Sequence, residues 1–175
     1  MKKLFKYTLL SVLFAGFAGL ASCSKEEIGG TAVQDMCGEW YVLVDGVDAS
    51  GNVVFEDPFE MGYFPLYTYN TNANVPTEMY VDDDGNFWAF KVIVNVNYNN
   101  KTFNVTNAID DYYGINVDIL NGSIVKDGTK SPAGYTADSI SFMVAFEDDE
   151  NIDEGYWDYL WIHGYRRTGL DGGYD

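Results

Sequence analysis

The sequence predicts an all-β domain, an antiparallel up-and-down β-barrel of about eight to ten strands, behind a signal peptide and a flexible tether. Three observations carry this reading. Apolar and polar residues alternate in short runs, and turn residues separate the runs about every dozen positions. No stretch beyond the leader shows a helical, 3.6-residue apolar period. Finally, Gly155 to Gly169 is bulky on both alternating faces. Trp157, Tyr159, Trp161, His163 and Tyr165 share one face, and Tyr156, Leu160 and Ile162 the other. A strand of that kind is covered on both sides or closes a barrel.

In chain order, Met36–Asp45 alternates Trp40, Val42 and Val44 with Glu39, Tyr41 and Leu43, which makes a first strand. The polar, Gly-bearing run 48–52 turns the chain into Val53–Phe55. Tyr63–Asn70 is extended and aromatic, with Pro65 placing it at an edge or irregularity, and 70–76 is a polar loop. Thr77–Val81 leads through the acidic turn 82–86 into Trp88–Tyr98, whose even positions are Trp, Phe, Val, Val, Val and Tyr. Asn99-Asn100 then turns it back into 101–107. Residues 115–120 repeat the alternation, and Asn121-Gly122 reads as a hairpin turn into 123–126. Ala137–Glu147 places Ile140, Phe142, Val144 and Phe146 on one face, and an acidic loop, 147–154, precedes the final strand.

Residues 1–22 stand apart from this pattern. Lys2, Lys3 and Lys6 precede an apolar run, Thr8–Leu20, too short to span a bilayer comfortably. The junction Leu20-Ala21-Ser22-Cys23 resembles a bacterial lipobox, in which Cys23 carries the lipid and becomes the first mature residue. Ser24-Lys25-Glu26-Glu27 resembles the export tag of surface lipoproteins in Bacteroidetes-type bacteria. The expected organisation is therefore a cleaved leader (1–22), a lipidated tether (23–35) and one barrel domain (36–175). The expected location is the outer membrane, with the domain at the cell surface.

Removing 22 of 175 residues leaves 153, enough for one ordinary domain. The leader takes three lysines and no acids, so the formal charge moves from −17 to −20. That balance argues against nucleic acid or anionic headgroups as partners, and leaves the lipid anchor as the expected membrane contact. With Cys23 acylated, Cys37 has no intramolecular partner and is expected to be a small buried residue.

Catalytic chemistry finds little footing. There is no Gly-x-Ser-x-Gly elbow, and the only histidine is His163, in the middle of an aromatic strand. An esterase would need a serine on one of its nitrogens and a carboxylate on the other. No cluster of metal-ligand spacing is present, so neither a metal nor a cofactor is expected. Asp82–Asn86 lacks the alternating oxygen ladder of a calcium loop; 147–154 offers more oxygens but reads equally as a solvated loop.

Gly38-Glu39-Trp40 resembles the Gly-x-Trp signature of lipocalin-like barrels. In those proteins the tryptophan plugs the closed end and an arginine from the last strand packs over it. Arg166 and Arg167 stand at the corresponding place, and strand parity chooses between them only if Gly164 is not bulged. The chain lacks the Thr-Asp-Tyr motif and the C-terminal helix of true lipocalins. Its lipobox, first-strand tryptophan, aromatic last strand and ending Gly164-Tyr-Arg-Arg-Thr-Gly169 are similar to those of Bacteroidetes lipoproteins described as lipid-binding putative hydrolases.

That resemblance implies a lipocalin-like barrel and a small apolar or lipidic ligand. Trp40, Trp88, Phe90, Phe142, Phe146, Tyr159, Trp161 and His163 are then the expected core or pocket lining. The same aromatics could instead fill the barrel solid. In that case Tyr63, Tyr67 and Tyr69 offer an outward platform for a surface glycan or a protein partner.

Overall fold

A computed structural model describes residues 30–170. Nine strands follow one another: β1 (Gly38–Val47), β2 (Val53–Glu56), β3 (Phe64–Asn70), β4 (Glu78–Asp82), β5 (Lys91–Asn97), β6 (Thr102–Ile109), β7 (Asn116–Lys130), β8 (Thr136–Phe146) and β9 (Tyr159–Arg166). Two short helical segments, a 3₁₀ turn at Gln34–Met36 and α1 (Glu150–Asp153), complete the described elements. Each strand from β3 onward pairs antiparallel with its successor, and β9 returns to β1 from Trp40↔Arg166 to Val47↔Tyr159. Eight strands thus close an up-and-down barrel. β2 lies outside the closure, sharing β1's other edge with β3, and all four of its residues are exposed.

Alternation decides which residues fill the barrel. Trp40, Val42 and Val44 of β1, Val92 and Val94 of β5, Ile140, Phe142, Val144 and Phe146 of β8, and Leu160 and Ile162 of β9 belong to one buried cluster. Such a set of aliphatic and aromatic side chains each contributes about 1.5–3 kcal/mol on leaving water. Gly164 lets β9 approach β1 closely, because a Cβ there would lie 2.0 Å from the Tyr41 carbonyl oxygen.

Several boundaries differ from the sequence expectation. Folding begins before residue 36: Val33 and Met36 are fully buried, and Asp35 pairs with Lys101 at 2.9 Å. Trp88–Tyr98 enters the sheet only at Lys91, because the carboxylate of Asp83 takes up the N–H groups of residues 87 to 90 (below). Asn121-Gly122 is not a hairpin turn. β7 runs straight through it, and the extra residue is absorbed as a register shift against both neighbours, with Asn121 at φ 54°. The acidic loop folds in part into α1, capped by the Asp149 side chain. The leader and Cys23 lie outside the described residues.

Candidate functional site

The loops divide between two ends. The base gathers the start of β1 and the end of β9; the mouth gathers the β2–β3, β4–β5, β6–β7 and β8–β9 connections.

At the base, Trp40 is fully buried and its Nε1 donates to the Thr68 hydroxyl at 2.8 Å. The guanidinium of Arg166 covers the indole, with Cζ 4.7 Å from the ring centroid. Its Nε faces Asp138 at 3.2 Å, and its Nη2 donates to the Asp35 carbonyl at 2.9 Å. No bulge interrupts β9, so residue 166 keeps the inward parity of Leu160 and Ile162. Arg167 turns outward and pairs with Glu39 at 2.9 Å.

Above this plug, Phe90 and Phe142 are 0 % and 1 % exposed and Phe146 is 3 % exposed; they pack with the aliphatic rows in one buried cluster. Two clefts lie at the margins of the domain. One of about 80 Å³ lies by Val47, Gly51, Asn121, Phe142, Met143 and Trp161, and one of about 360 Å³ by Asp84, Gly85, Ala89, Tyr112 and Tyr113.

The mouth is closed by rings from three loops. Phe59 of the β2–β3 loop lies 5.3 Å from Phe87, 5.8 Å from Trp88 and 5.9 Å from Trp157. Trp88 stacks on Phe146 at 4.8 Å with planes 3° apart. Carboxylates of the acidic loop hold the indoles: Trp88 Nε1 donates to Asp148 at 2.8 Å, and Trp157 Nε1 to Asp149 at 2.9 Å. The loop carrying Phe87 and Trp88 is itself wound on one side chain. Asp83, fully buried, accepts N–H bonds from Gly85, Phe87, Trp88, Ala89 and Phe90 at 2.8–3.0 Å. Burial pushes this carboxyl up from its ordinary range while the N–H groups pull it down.

The profile of the family described as lipid-binding putative hydrolase matches residues 25–171. The chain belongs to that family. No curated protein matches it. Membership and the barrel fold together support a lipid-binding protein, and each part of the family's description can be set against the side chains.

For an apolar ligand, the sequence-predicted lining splits in two. Trp40, Phe90, Phe142 and Phe146 point into the barrel, and Trp88 lies at its mouth. β9 turns Leu160 and Ile162 inward and Tyr159, Trp161 and His163 onto the outer wall, half-buried, where Trp161 borders the cleft of about 80 Å³. Trp157, which precedes the strand, breaks that parity and joins the core. Sequence periodicity missed Phe59, Phe87 and Trp157 because loops have no period.

For hydrolysis, His163 Nε2 lies 2.9 Å from Asp45 Oδ2 and its ring stacks on Trp161 at 3.9 Å. Ser141 is its cross-strand neighbour on β8, but the Ser141 hydroxyl is 3.3 Å from that of Ser123. Among the described residues no serine hydroxyl hydrogen-bonds His163. No group of three or more His, Cys, Asp or Glu side chains converges among the described residues.

The outward tyrosines are engaged rather than bare. Tyr63 packs edge-on against Tyr165 at 5.5 Å, Tyr69 lies tilted by 36° on Tyr80 at 5.2 Å, and Tyr67 is half-buried. The Tyr69 hydroxyl donates to Asp82, as does that of Tyr112 at 2.9 Å. Burial and this shared carboxylate raise both phenols well above the ordinary tyrosine range. Cys37 is half-buried, with its Sγ 3.3 Å from the Val33 carbonyl.

Proposed function

We propose that this protein is a non-catalytic lipid-binding module, anchored at the outer membrane surface through Cys23, that takes the acyl part of its ligand at the mouth of the barrel. The carrying observation is the interlocked cluster of Phe59, Phe87, Trp88, Phe146 and Trp157, drawn from three separate loops and the end of β8. Rings on loops that pack over the barrel's mouth form an apolar surface that can part without unzipping the sheet. The leader, with its lipobox, supports the anchor, and the engaged state of His163 supports binding without turnover.

Native mass spectrometry of the mature domain, purified from its own host, tests the binding half. A co-purified lipid whose occupancy falls in Trp88→Ala supports the reading; protein that retains nothing from a broad lipid panel overturns it. For the catalytic half, ester hydrolysis that disappears in His163→Ala would replace this reading with an enzyme. Globomycin-type inhibition of leader cleavage, or a Cys23→Ala variant released from the membrane fraction, tests the anchor.

A further inference from the structure

Beside the aromatic cap, the cleft of about 360 Å³ is walled by the rings of Tyr112 and Tyr113 on the β6–β7 loop and by Asp84, Gly85 and Ala89 on the β4–β5 loop. Both walls are built rather than loose. Asp110, 2 % exposed, accepts the N–H groups of Tyr112 and Tyr113 at 3.0 and 2.6 Å and that of Lys91 at 2.6 Å. Asp83 fixes the facing loop from beneath, in the way described above. Asp82, 6 % exposed, joins the two walls by accepting from the Tyr112 hydroxyl and from the N–H of Asp84 at 2.8 Å. Ala89 and Asp84 are held at φ 56° and 49°, a conformation L-residues adopt at a cost.

What remains for a ligand is two ring faces and one carboxylate. Tyr112 and Tyr113 are 43 % and 74 % exposed, large values for rings that line a concave site. The Asp84 side chain has no hydrogen-bond or ion-pair partner among the described residues, whereas Asp82, Asp83 and Asp110 spend their oxygens on the fold. Burial first, then the bond to Asp82 and the charges of Asp82, Asp84 and Asp83, push the Tyr112 phenol upward. Lys91, the cross-strand partner of Asp82, holds its ammonium over the rings of Tyr80 and Tyr69 at 4.6 and 5.8 Å. Next to the cleft, then, the protein already holds an ammonium over tyrosine faces.

We propose that this cleft binds an organic cation, a quaternary or substituted ammonium group, seated between the Tyr112 and Tyr113 rings and neutralised by Asp84. Aromatic faces attract a cation through the ring quadrupole, and a compact, weakly hydrated ammonium loses little solvation on entering. An anion would meet Asp84 and a chain of formal charge −17. The proposal stands apart from lipid binding, since a headgroup-sized cation with no acyl chain is enough to test it.

The probe is choline, titrated into the folded domain while the Tyr112 and Tyr113 ring resonances are followed by NMR. A parallel titration uses the alcohol in which a tert-butyl carbon replaces the quaternary nitrogen. Choline should shift both rings with a Kd of about 1–10 mM, weakening as salt is raised, and the uncharged isostere should bind at least about tenfold more weakly. Asp84→Asn should loosen choline by about fivefold, and Tyr113→Trp should tighten it, because indole is the better cation acceptor. Equal affinity for the isostere, no response of the rings up to about 100 mM choline, or an Asp84→Asn variant that binds as well as the parent would each overturn the proposal. Choline binding by a domain that retains no lipid would sink the lipid reading and leave this one standing. A domain that retains lipid but ignores choline would do the reverse.

Discussion

Trp40→Ala removes the plug at the base, and its cost can be worked from the contacts. The indole is fully buried, and truncations of buried aromatics cost about 3–5 kcal/mol. The lost bond from Nε1 to Thr68 adds about 1 kcal/mol. Arg166→Ala forfeits the guanidinium–indole contact, about 0.5–2 kcal/mol. It also loses the pair with Asp138, whose side chain is 22 % exposed against 29 % for Arg166, so screening holds that part to about 1 kcal/mol or less. If the two side chains act through each other, the double variant should be less damaged than the sum of the single ones, by about 1 kcal/mol.

Equilibrium urea unfolding of the four proteins of that cycle measures this, provided the m-value stays constant. Where Trp40→Ala leaves too little folded protein, Trp40→Phe takes its place and keeps the cycle intact. Arg167→Ala serves as the comparison. It carries an exposed pair with Glu39, worth about 0.2–1 kcal/mol, and should show no coupling to Trp40. A near-neutral Trp40→Ala, or coupling to Arg167 in place of Arg166, would refute the account of closure.

Three other perturbations have defined outcomes. Asp83→Asn replaces a carboxylate oxygen by a donor facing backbone N–H groups, and should cost about 3 kcal/mol or more and red-shift Trp88 emission; a change under about 1 kcal/mol would dismiss Asp83 as the anchor of that loop. Tyr69 and Tyr112 have folded pKa values above the unfolded value of about 10, so their stabilisation is complete below that pH and is lost as pH rises beyond it. Phenolate absorbance should show both ionising only as the protein unfolds, and Asp82→Asn should bring both down; an unchanged alkaline limb in that variant would contradict the network. Gly164→Ala sets a Cβ 2.0 Å from the Tyr41 oxygen and 2.7 Å from Val42 Cα, both backbone, and should destabilise by about 2–3 kcal/mol or more in thermal unfolding. Gly38→Ala, whose Cβ would meet Arg166 at an ordinary 3.4 Å, should stay within about 1 kcal/mol.

Strand periodicity carried most of the architecture into view, because one wall of each strand faces a dry interior. Val92 and Val94, or Phe142 and Val144, can occupy their sites only if alternate residues face the other way. β9 defeated the same logic. Its largest side chains, Tyr159, Trp161 and His163, face out, since rings with polar edges find partners on the outer wall, such as Asp45 for His163, while the purely aliphatic Leu160 and Ile162 take the interior. Asn121 takes the left-handed conformation that a tight turn would use but Gly122 does not, and the pair forms a bulge. A Cβ at Gly122 would fall 2.4 Å from the Phe103 ring, so the glycine serves packing across to β6 and not reversal. Arg166 and Arg167 could not be told apart from sequence, because one bulge anywhere in β9 exchanges their roles.

The two ends of the barrel use one device at different strengths, and the difference bears on the proposed entry of a ligand at the mouth. At the base, Trp40 is covered by Arg166 and bonded to a buried threonine, so freeing it costs at least the roughly 4–6 kcal/mol worked above. At the mouth, Trp88 is half-buried, and its acceptor Asp148 is exposed. Swinging Trp88 out forfeits a ring stack of about 0.5–1.5 kcal/mol and a hydrogen bond of about 1 kcal/mol. With about 1 kcal/mol or more for re-exposing its half-buried apolar surface, the sum is about 3 kcal/mol, still below the cost at the base. On the proposed entry at the mouth, Asp148→Ala, by cutting the rim's tether, should raise the rate of ligand exchange without loosening the base.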